Sequence, residues 1–360
     1  MLTGEAPVSA TEAVAIFKPW FDKTRGGILL AVSGGPDSIA MMHLAVIAAK
    51  QMRRTPALHV ATVDHGLRDA SRDEALLVLR EASALGLKAE MLTWSGLKPT
   101  NGLQEAAREA RYTLLRAHAQ AIGASYLMTA HTLDDQAETV LLRLMRGSGL
   151  GGLGAMRVET DIGALGLVRP LLGVPKARLV ATCRDVAWPF VDDPSNGNDR
   201  FTRVRIRKLL AAFGVEGLNP SRLAKLAERL QRADDALYAM TRAAFIQLRS
   251  ADGRSVTLAA GGYRRETAEC RVRLVALALE EMSRHIARPS ALRLERIESL
   301  SARLDSAIDE MKTLRTTCGG CRIILSQGKI AFVPEETRQR GQNRDKSSRR
   351  AQLGFSPPAP

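Results

Sequence analysis

The chain has 360 residues, with 52 lysines and arginines against 38 aspartates and glutamates and a formal net charge of +14. That length excludes one ordinary core and predicts two or three domains, while four cysteines exclude a disulfide framework and fit a reducing cytoplasm. The charge points to a polyanionic partner, nucleic acid ahead of a membrane surface, and an aromatic content of only 4% favours recognition of backbone and shape over base stacking.

Residues 1–24 read as a helical lead-in without a signal segment, and no apolar run along the chain approaches a membrane span. The apolar run 28–32 predicts a buried strand. It enters Ser33-Gly34-Gly35-Pro36-Asp37-Ser38, and a helix follows over about 37–50. Paired glycines let backbone N–H groups converge on phosphate oxygens, and the helix N-terminus adds its positive dipole end. Ser33 and Ser38 can add hydroxyl donors. The loop lacks the lysine of a Gly-x-x-x-x-Gly-Lys-Ser/Thr motif; it carries Asp37 instead, placed to hold a magnesium ion on a polyphosphate.

A strand over 57–63 ends in Asp64-His65-Gly66-Leu67-Arg68, where Asp64 can meet a nucleotide or metal or simply shape a turn. A helix over 71–85, a strand over 89–94 and a helix over 102–121 follow. The last carries Arg108 and Arg111, three residues apart; either can reach a phosphate, or both can share a solvated face with Glu105 and Tyr112. A strand over 125–129 leads through His131-Thr132-Leu133-Asp134-Asp135-Gln136-Ala137-Glu138-Thr139 into a helix over 133–146. Asp134 or Asp135 then lies one turn from Glu138, and two carboxylates at a strand end can bind an ammonium group or a metal. Thr132 with Asp135 three residues on also reads as a capping-box-like start. Strands alternating with such helices predict βαβ units and a parallel, doubly wound sheet. Its ligands sit at the carboxyl ends of the strands, where position 33, Asp64 and His131 converge.

The run 147–154 is rich in glycine and reads as a mobile loop. A short helix over 175–187 precedes a polar, turn-rich stretch over 188–200, and 203–250 is helical and strongly basic. Arg203, Arg205 and Arg207 share a face if that stretch is extended; on a helix only Arg203 and Arg207 do. Either arrangement suits phosphate contacts. A strand over 255–259, helices over 265–283 and 291–312 and two strands within 314–333 make a small α+β module. Cys318-Gly319-Gly320-Cys321 reads as a hairpin turn, because a zinc site needs two more ligands with paired spacing. The expected divisions are a lead-in (1–24), an α/β domain (25–202), a basic helical domain (203–252), the α+β domain (253–337) and a basic, Pro-rich disordered tail (338–360).

The Ser-Gly-Gly-x-Asp-Ser loop resembles that of the PP-loop ATP pyrophosphatases, which cleave ATP to AMP and pyrophosphate. Further motifs narrow the likeness: Val63–Arg68, Gln104–Tyr112, Thr129–Thr139, Arg169-Pro170-Leu171-Leu172 and Asp193-Pro194-Ser195-Asn196 ahead of Arg203–Arg207. In that order, over about residues 25–215, the set is similar to the tRNA(Ile)-lysidine synthetase family. The resemblance implies ATP-dependent adenylation of C2 of the wobble cytidine in the CAU anticodon of tRNA(Ile). The ε-amine of free L-lysine then attacks, AMP leaves, and decoding changes from AUG to AUA. It also implies cofactors ATP and Mg²⁺, a cytoplasmic location and no obligate protein partner, and leaves a homodimer open.

By the same resemblance, Ser33, Gly34, Gly35, Pro36, Asp37, Ser38 and Asp64 would bind ATP, with Asp37 holding Mg²⁺. Asp135 and Glu138 would hold lysine, Arg111 and His131 would serve the chemistry, and Arg203, Arg205 and Arg207 would meet tRNA. The sequence departs from many members at Thr132, where they have a second histidine, and at Val204, where they have asparagine. A PP-loop tRNA thiolation enzyme is the alternative, although such enzymes generally need reactive cysteines near the site and residues 1–182 contain none.

Overall fold

The computed structural model describes residues 6–52, 55–67, 70–96, 98–191, 202–252, 255–286 and 292–335. Arg68, Asp193-Pro194-Ser195-Asn196 and the 338–360 tail lie outside them. The chain divides into two compact units, Met1–Asp234 and Asp235–Pro360.

In the first unit, α1 (Ala10–Phe21) starts on a capping box in which Ser9 and Glu12 satisfy each other's backbone N–H groups. The alternating elements follow as β1 (Gly27–Ala31), α2 (Pro36–Lys50), β2 (Leu58–Asp64), α3 (Ala70–Ala84), β3 (Lys88–Thr93), α4 (Leu103–Ala121), β4 (Ala124–Thr129) and α5 (Leu133–Met145). A four-residue α6 (Leu150–Leu153) and a hairpin of β5 (Glu159–Ile162) and β6 (Leu165–Val168) come next, then α7 (Lys176–Asp185) and α8 (Thr202–Gly214). The sheet order is β3-β2-β1-β4-β6-β5, parallel except for the antiparallel edge strand β5. This is the doubly wound α/β sheet the alternation predicts.

β1 is buried along its whole length because helices cover both faces. Ile28 and Leu30 pack into a core with residues of α1, α2, α3 and α7, while Leu29 and Ala31 meet Leu115 and Ala119 of α4. The strand order turns around β1, with β2 on one side and β4 on the other. Loops leaving β1 and β4 therefore diverge and open a crevice at their carboxyl ends.

The sequence reading missed the β5–β6 hairpin, whose strands have only four residues each. It also read 147–154 as mobile. The structure corrects this: the segment holds α6 and is fastened by side chains. Arg143 Nη1 donates to the carbonyls of Gly152 (2.5 Å) and Ala155 (3.1 Å), and Gln231 Nε2 donates to that of Gly154 (2.5 Å).

α9 (Pro220–Leu248) runs through the point where the two units divide. The second unit continues with β7 (Arg249–Ala251), β8 (Val256–Ala259), α10 (Ala260–Arg265), α11 (Ala268–Ser283), α12 (Leu294–Asp309), β9 (Leu314–Cys318), β10 (Cys321–Ser326) and β11 (Lys329–Pro334). Its antiparallel sheet, β7-β8-β11-β10-β9, packs on a core that includes Tyr263, Leu274, Leu304, Ile323 and Phe332. Residues 314–333 thus hold parts of three strands rather than two. Cys318 and Cys321 are cross-strand partners, with Gly319 and Gly320 at φ 61° and 80° between them, so this pair closes a hairpin.

Candidate active site

A cavity of about 550 Å³ opens at the carboxyl ends of β1, β2 and β4, a size that accommodates a nucleotide. Its floor is the loop after β1. Gly34 has φ 89°, a conformation that costs little only for glycine. Gly35 is the N-cap of α2 and Pro36, which has no N–H, its first residue; Ser38 N–H donates to the Gly35 carbonyl at 3.1 Å, which leaves the Asp37 N–H at the positive end of the helix for an anion. A Cβ on Gly35 would find no protein atom nearer than Ser33 Oγ at 4.0 Å, which leaves that side of the turn open for phosphate oxygens. Ser33, Gly35, Pro36 and Asp37 line the cavity. Ser38 does not: its hydroxyl accepts from Ser33 N–H (3.1 Å) and donates to the Gly35 carbonyl (2.9 Å). It braces the loop instead of offering a phosphate donor.

Asp37 Oδ2 pairs with Lys176 Nζ, and Asp37 Oδ1 is buried without a partner. Burial raises the pKa of Asp37 above the usual carboxylate range, against the opposing pull of Lys176. Lys176 was not singled out from the sequence, where it is one lysine at the start of a short helix. Its backbone N–H also donates to Asp134 Oδ2 at 2.7 Å. Asp134 is therefore engaged in fixing α7 against α5, which leaves Asp135 as the partner of Glu138.

The capping reading of Asp135 holds. Thr132 caps α5: Asp135 N–H donates to Thr132 Oγ1 (3.3 Å), and Asp135 Oδ2 accepts from Thr132 N–H and Oγ1 (both 2.9 Å). The departure at Thr132 thus has a structural use. Asp135 Oδ1 meanwhile faces Arg203 Nη1 at 3.7 Å. Glu138 is 2% exposed; Oε1 accepts from Arg207 Nε at 2.5 Å and Oε2 has no partner. Burial raises its pKa although Arg207 pulls it down.

The placements of the remaining candidates separate. Arg111 lines the cavity from α4, whereas Arg108 stacks over Tyr112 at 5.3 Å. Asp64 does not line it. Its Oδ1 accepts from Gly66 N–H (2.8 Å) and the Ser71 hydroxyl, which folds the turn after β2. The neighbouring His65 lines the cavity instead. Its Nδ1 is buried without a partner and its pKa is lowered by burial and then by Arg111. His131 does not line the cavity; its Nδ1 lies 2.9 Å from Thr129 Oγ1 and its pKa is pushed down by burial to about 4, so its ring is neutral at physiological pH. α8 is helical through 202–214, which puts Arg203 and Arg207 on one face and Arg205 on another. Arg205 is exposed, and its Nη2 donates to Thr202 Oγ1 at 3.3 Å. Val204 is buried, so its apolar side chain faces the protein interior.

One cavity thus joins a glycine turn at a helix N-terminus, a carboxylate beside a lysine, and a second carboxylate pair beside two arginines. Residues 7–212 match the PP-loop domain family. The chain is 45% identical over 346 residues to the tRNA(Ile)-lysidine synthase of Rhodopseudomonas palustris, covering 94% of this chain and 98% of that one. It is also 45% identical to the enzyme of the same name from Methylobacterium sp. strain 4-46, covering 93% and 97%. The chain belongs to the tRNA(Ile)-lysidine synthase family. Its members are ATP-dependent ligases that form a carbon–nitrogen bond, and this chain is such an enzyme. Among solved structures, the U34-tRNA thiolase NcsA from Methanococcus maripaludis with its [4Fe-4S] cluster superposes with a TM-score of 0.53. It shares 16% identity and covers 61% of this chain and 78% of that one, a likeness of fold.

Proposed function

We propose that this lysidine synthase family member carries out both half-reactions in the cavity described above, on a tRNA(Ile) bearing a CAU anticodon and with free L-lysine. The observation that carries the reading is the pair of buried, unpartnered carboxylate oxygens, Asp37 Oδ1 and Glu138 Oε2, in one cavity. A buried acceptor without a partner is costly unless a ligand completes it. The first sits beside the phosphate turn and the second beside Asp135.

In the first step the wobble cytidine O2 bonds to the α-phosphorus of ATP, and the α–β bridging oxygen departs with pyrophosphate. The turn at Gly34–Gly35 and the N-terminus of α2 hold the phosphates, while Lys176 and Arg111 face the charge that builds on the leaving group. Asp37 has the character of a magnesium ligand, since it lines the cavity next to the glycine turn with one carboxylate oxygen unpartnered and Mg²⁺ commonly takes one or two carboxylates plus phosphates. When bound, the ion neutralises phosphate charge. In the second step the neutral ε-nitrogen of lysine bonds to C2, and the C2–O bond breaks with its electron pair leaving on AMP. The nitrogen's proton passes to phosphate or water. Asp135 and Glu138 bind the amino acid.

Exposed basic side chains, among them Arg205 on α8 and Arg229 and Arg232 on α9, suit contact with the tRNA backbone. No described helix is long and apolar enough to cross a membrane. A thiolation reaction is disfavoured by cysteine placement. Cys183, the one cysteine in the first unit, is buried, donates to the Pro36 carbonyl, and has its thiol pKa pushed up to about 11, the opposite of a reactive thiol.

The test supplies purified protein, ATP, Mg²⁺ and labelled lysine to tRNA(Ile) with a CAU anticodon and to elongator tRNA(Met). Label enters the isoleucine tRNA alone. Sulfur incorporation without lysine incorporation overturns the reading.

A further inference from the structure

The chain that follows α7 returns to the glycine turn after β1. α7 ends at Asp185, and Ala187 has φ 54°, a left-handed conformation that a residue with a Cβ rarely adopts. Trp188 N–H then donates to the Cys183 carbonyl at 2.8 Å. The indole of Trp188 stacks on the buried imidazole of His43 in α2, with ring centroids 4.1 Å apart and planes 18° from parallel. Three residues later Val191 N–H donates to the Gly34 carbonyl at 2.9 Å, and Val191 lines the cavity. Residues 187–191 thus form a strap, anchored on α2 at one end and on the turn at the other.

The strap fixes the direction of one peptide group. In a planar trans peptide the carbonyl and the N–H point opposite ways, so a Gly34 carbonyl held by Val191 turns the Gly35 N–H away from the strap. Gly34 and Gly35 lack the Cβ that would resist rotation of the peptide between them. A flipped peptide would exchange an N–H for a carbonyl oxygen in a turn suited to gathering N–H groups around an anion. The Val191 hydrogen bond opposes that flip, and the stack keeps Val191 within reach. Burial lowers the pKa of His43 to about 4, so the ring beneath Trp188 is neutral at physiological pH.

We propose that Trp188, seated on His43, is a positioning residue for the glycine turn: it acts through Val191 to hold the Gly34–Gly35 peptide in its anion-binding orientation. Neither ring lines the cavity, so the strap governs affinity for the polyphosphate and leaves the nucleoside and the amino acid untouched. The inference rests on the turn being the phosphate site, as proposed above, and adds the residues that hold it in that state.

The test compares the full-length parent with Trp188→Leu, which loses the stack but keeps an apolar side chain. Equilibrium binding of ATP, inorganic pyrophosphate and adenosine is measured, together with the KM for lysine in transfer to tRNA(Ile). The strap predicts that ATP and pyrophosphate weaken together by about 10-fold, the scale of one hydrogen bond to a charged group, while adenosine and lysine stay within about 2-fold. Trp188→Phe can still stack and restores most of the loss. Trp188→Leu and His43→Leu combined weaken pyrophosphate no more than either alone, since both break one contact. Val191→Pro removes the N–H and leaves the stack; it gives the same split, and it decides the question if Trp188→Leu does not fold. Pyrophosphate bound equally by the parent, Trp188→Leu and Val191→Pro overturns the strap. Adenosine and lysine weakened as much as pyrophosphate overturn it too, because the whole cavity has then loosened. A parent that binds ATP no better than adenosine overturns the phosphate turn itself, and the strap with it.

Discussion

Lys176 joins two halves of the site through two different atoms: its ammonium group pairs with Asp37, and its backbone N–H holds Asp134. Replacing the side chain leaves the second bond in place, so Lys176→Met separates chemistry from architecture. The variant should keep a melting temperature near that of the parent while pyrophosphate release falls about 100- to 1,000-fold, the scale of losing one preorganised charge partner. Unchanged release would place Lys176 outside the chemistry. This residue was invisible in the sequence because its partner is 139 positions away and no periodicity marks it. Asp37, Asp135 and Glu138 were legible, since each sits in a motif directly after a strand-forming apolar run. Asp64 sits in an equally suggestive place, yet local turn chemistry with Gly66 and Ser71 engages its carboxylate. The neighbouring His65 faces the cavity, and nothing in a single sequence distinguishes which of two adjacent polar residues turns inward.

The elements most easily read were the long ones. A fully apolar β1 and the amphipathic α4 announce their burial through composition and spacing, whereas β5 and β6 are too short to show a period. The segment 147–154 misled for a physical reason. Glycine signals either freedom or close approach, and here close approach dominates. A Cβ on Gly154 would stand 3.0 Å from Gln231 Cγ and 3.3 Å from the Gly151 carbonyl, and one on Gly151 would stand 3.1 Å from the Asp234 carboxylate. Gly154→Val should therefore destabilise the protein by about 1–3 kcal/mol, the usual cost of overpacking, seen as a lower thermal midpoint. A parental midpoint would mean the segment yields freely. A comparable ambiguity surrounds α8. Alternating arginines suited a stripe of phosphate contacts, but the helical backbone turns Arg203 and Arg207 onto the acid pair and sends Arg205 elsewhere.

At the scale of the molecule, two cores hold the chain, one around β1 and α2 and one around Tyr263 and Phe332. Neither explains a net charge of +14, which points to the RNA partner. Exposed Arg229 and Arg232 lie three residues apart on α9 and so project from adjacent turns. Replacing both with glutamine should weaken tRNA binding and lower the slope of log K against log salt by about one per contact removed, measured by titration across salt concentrations. An unaltered slope would assign tRNA contact to other residues.

The bracing of Ser38 bears on energetics at this same scale. Ser33, Gly35 and Ser38 are hydrogen-bonded among themselves, and Val191 N–H donates to the Gly34 carbonyl at 2.9 Å. The turn thus acquires its shape when the chain folds, before any nucleotide arrives. Ordering a slack loop around a ligand would cost about 1–2 kcal/mol of conformational entropy for each residue fixed. Here that cost falls on folding, so affinity for the nucleotide is not reduced by it.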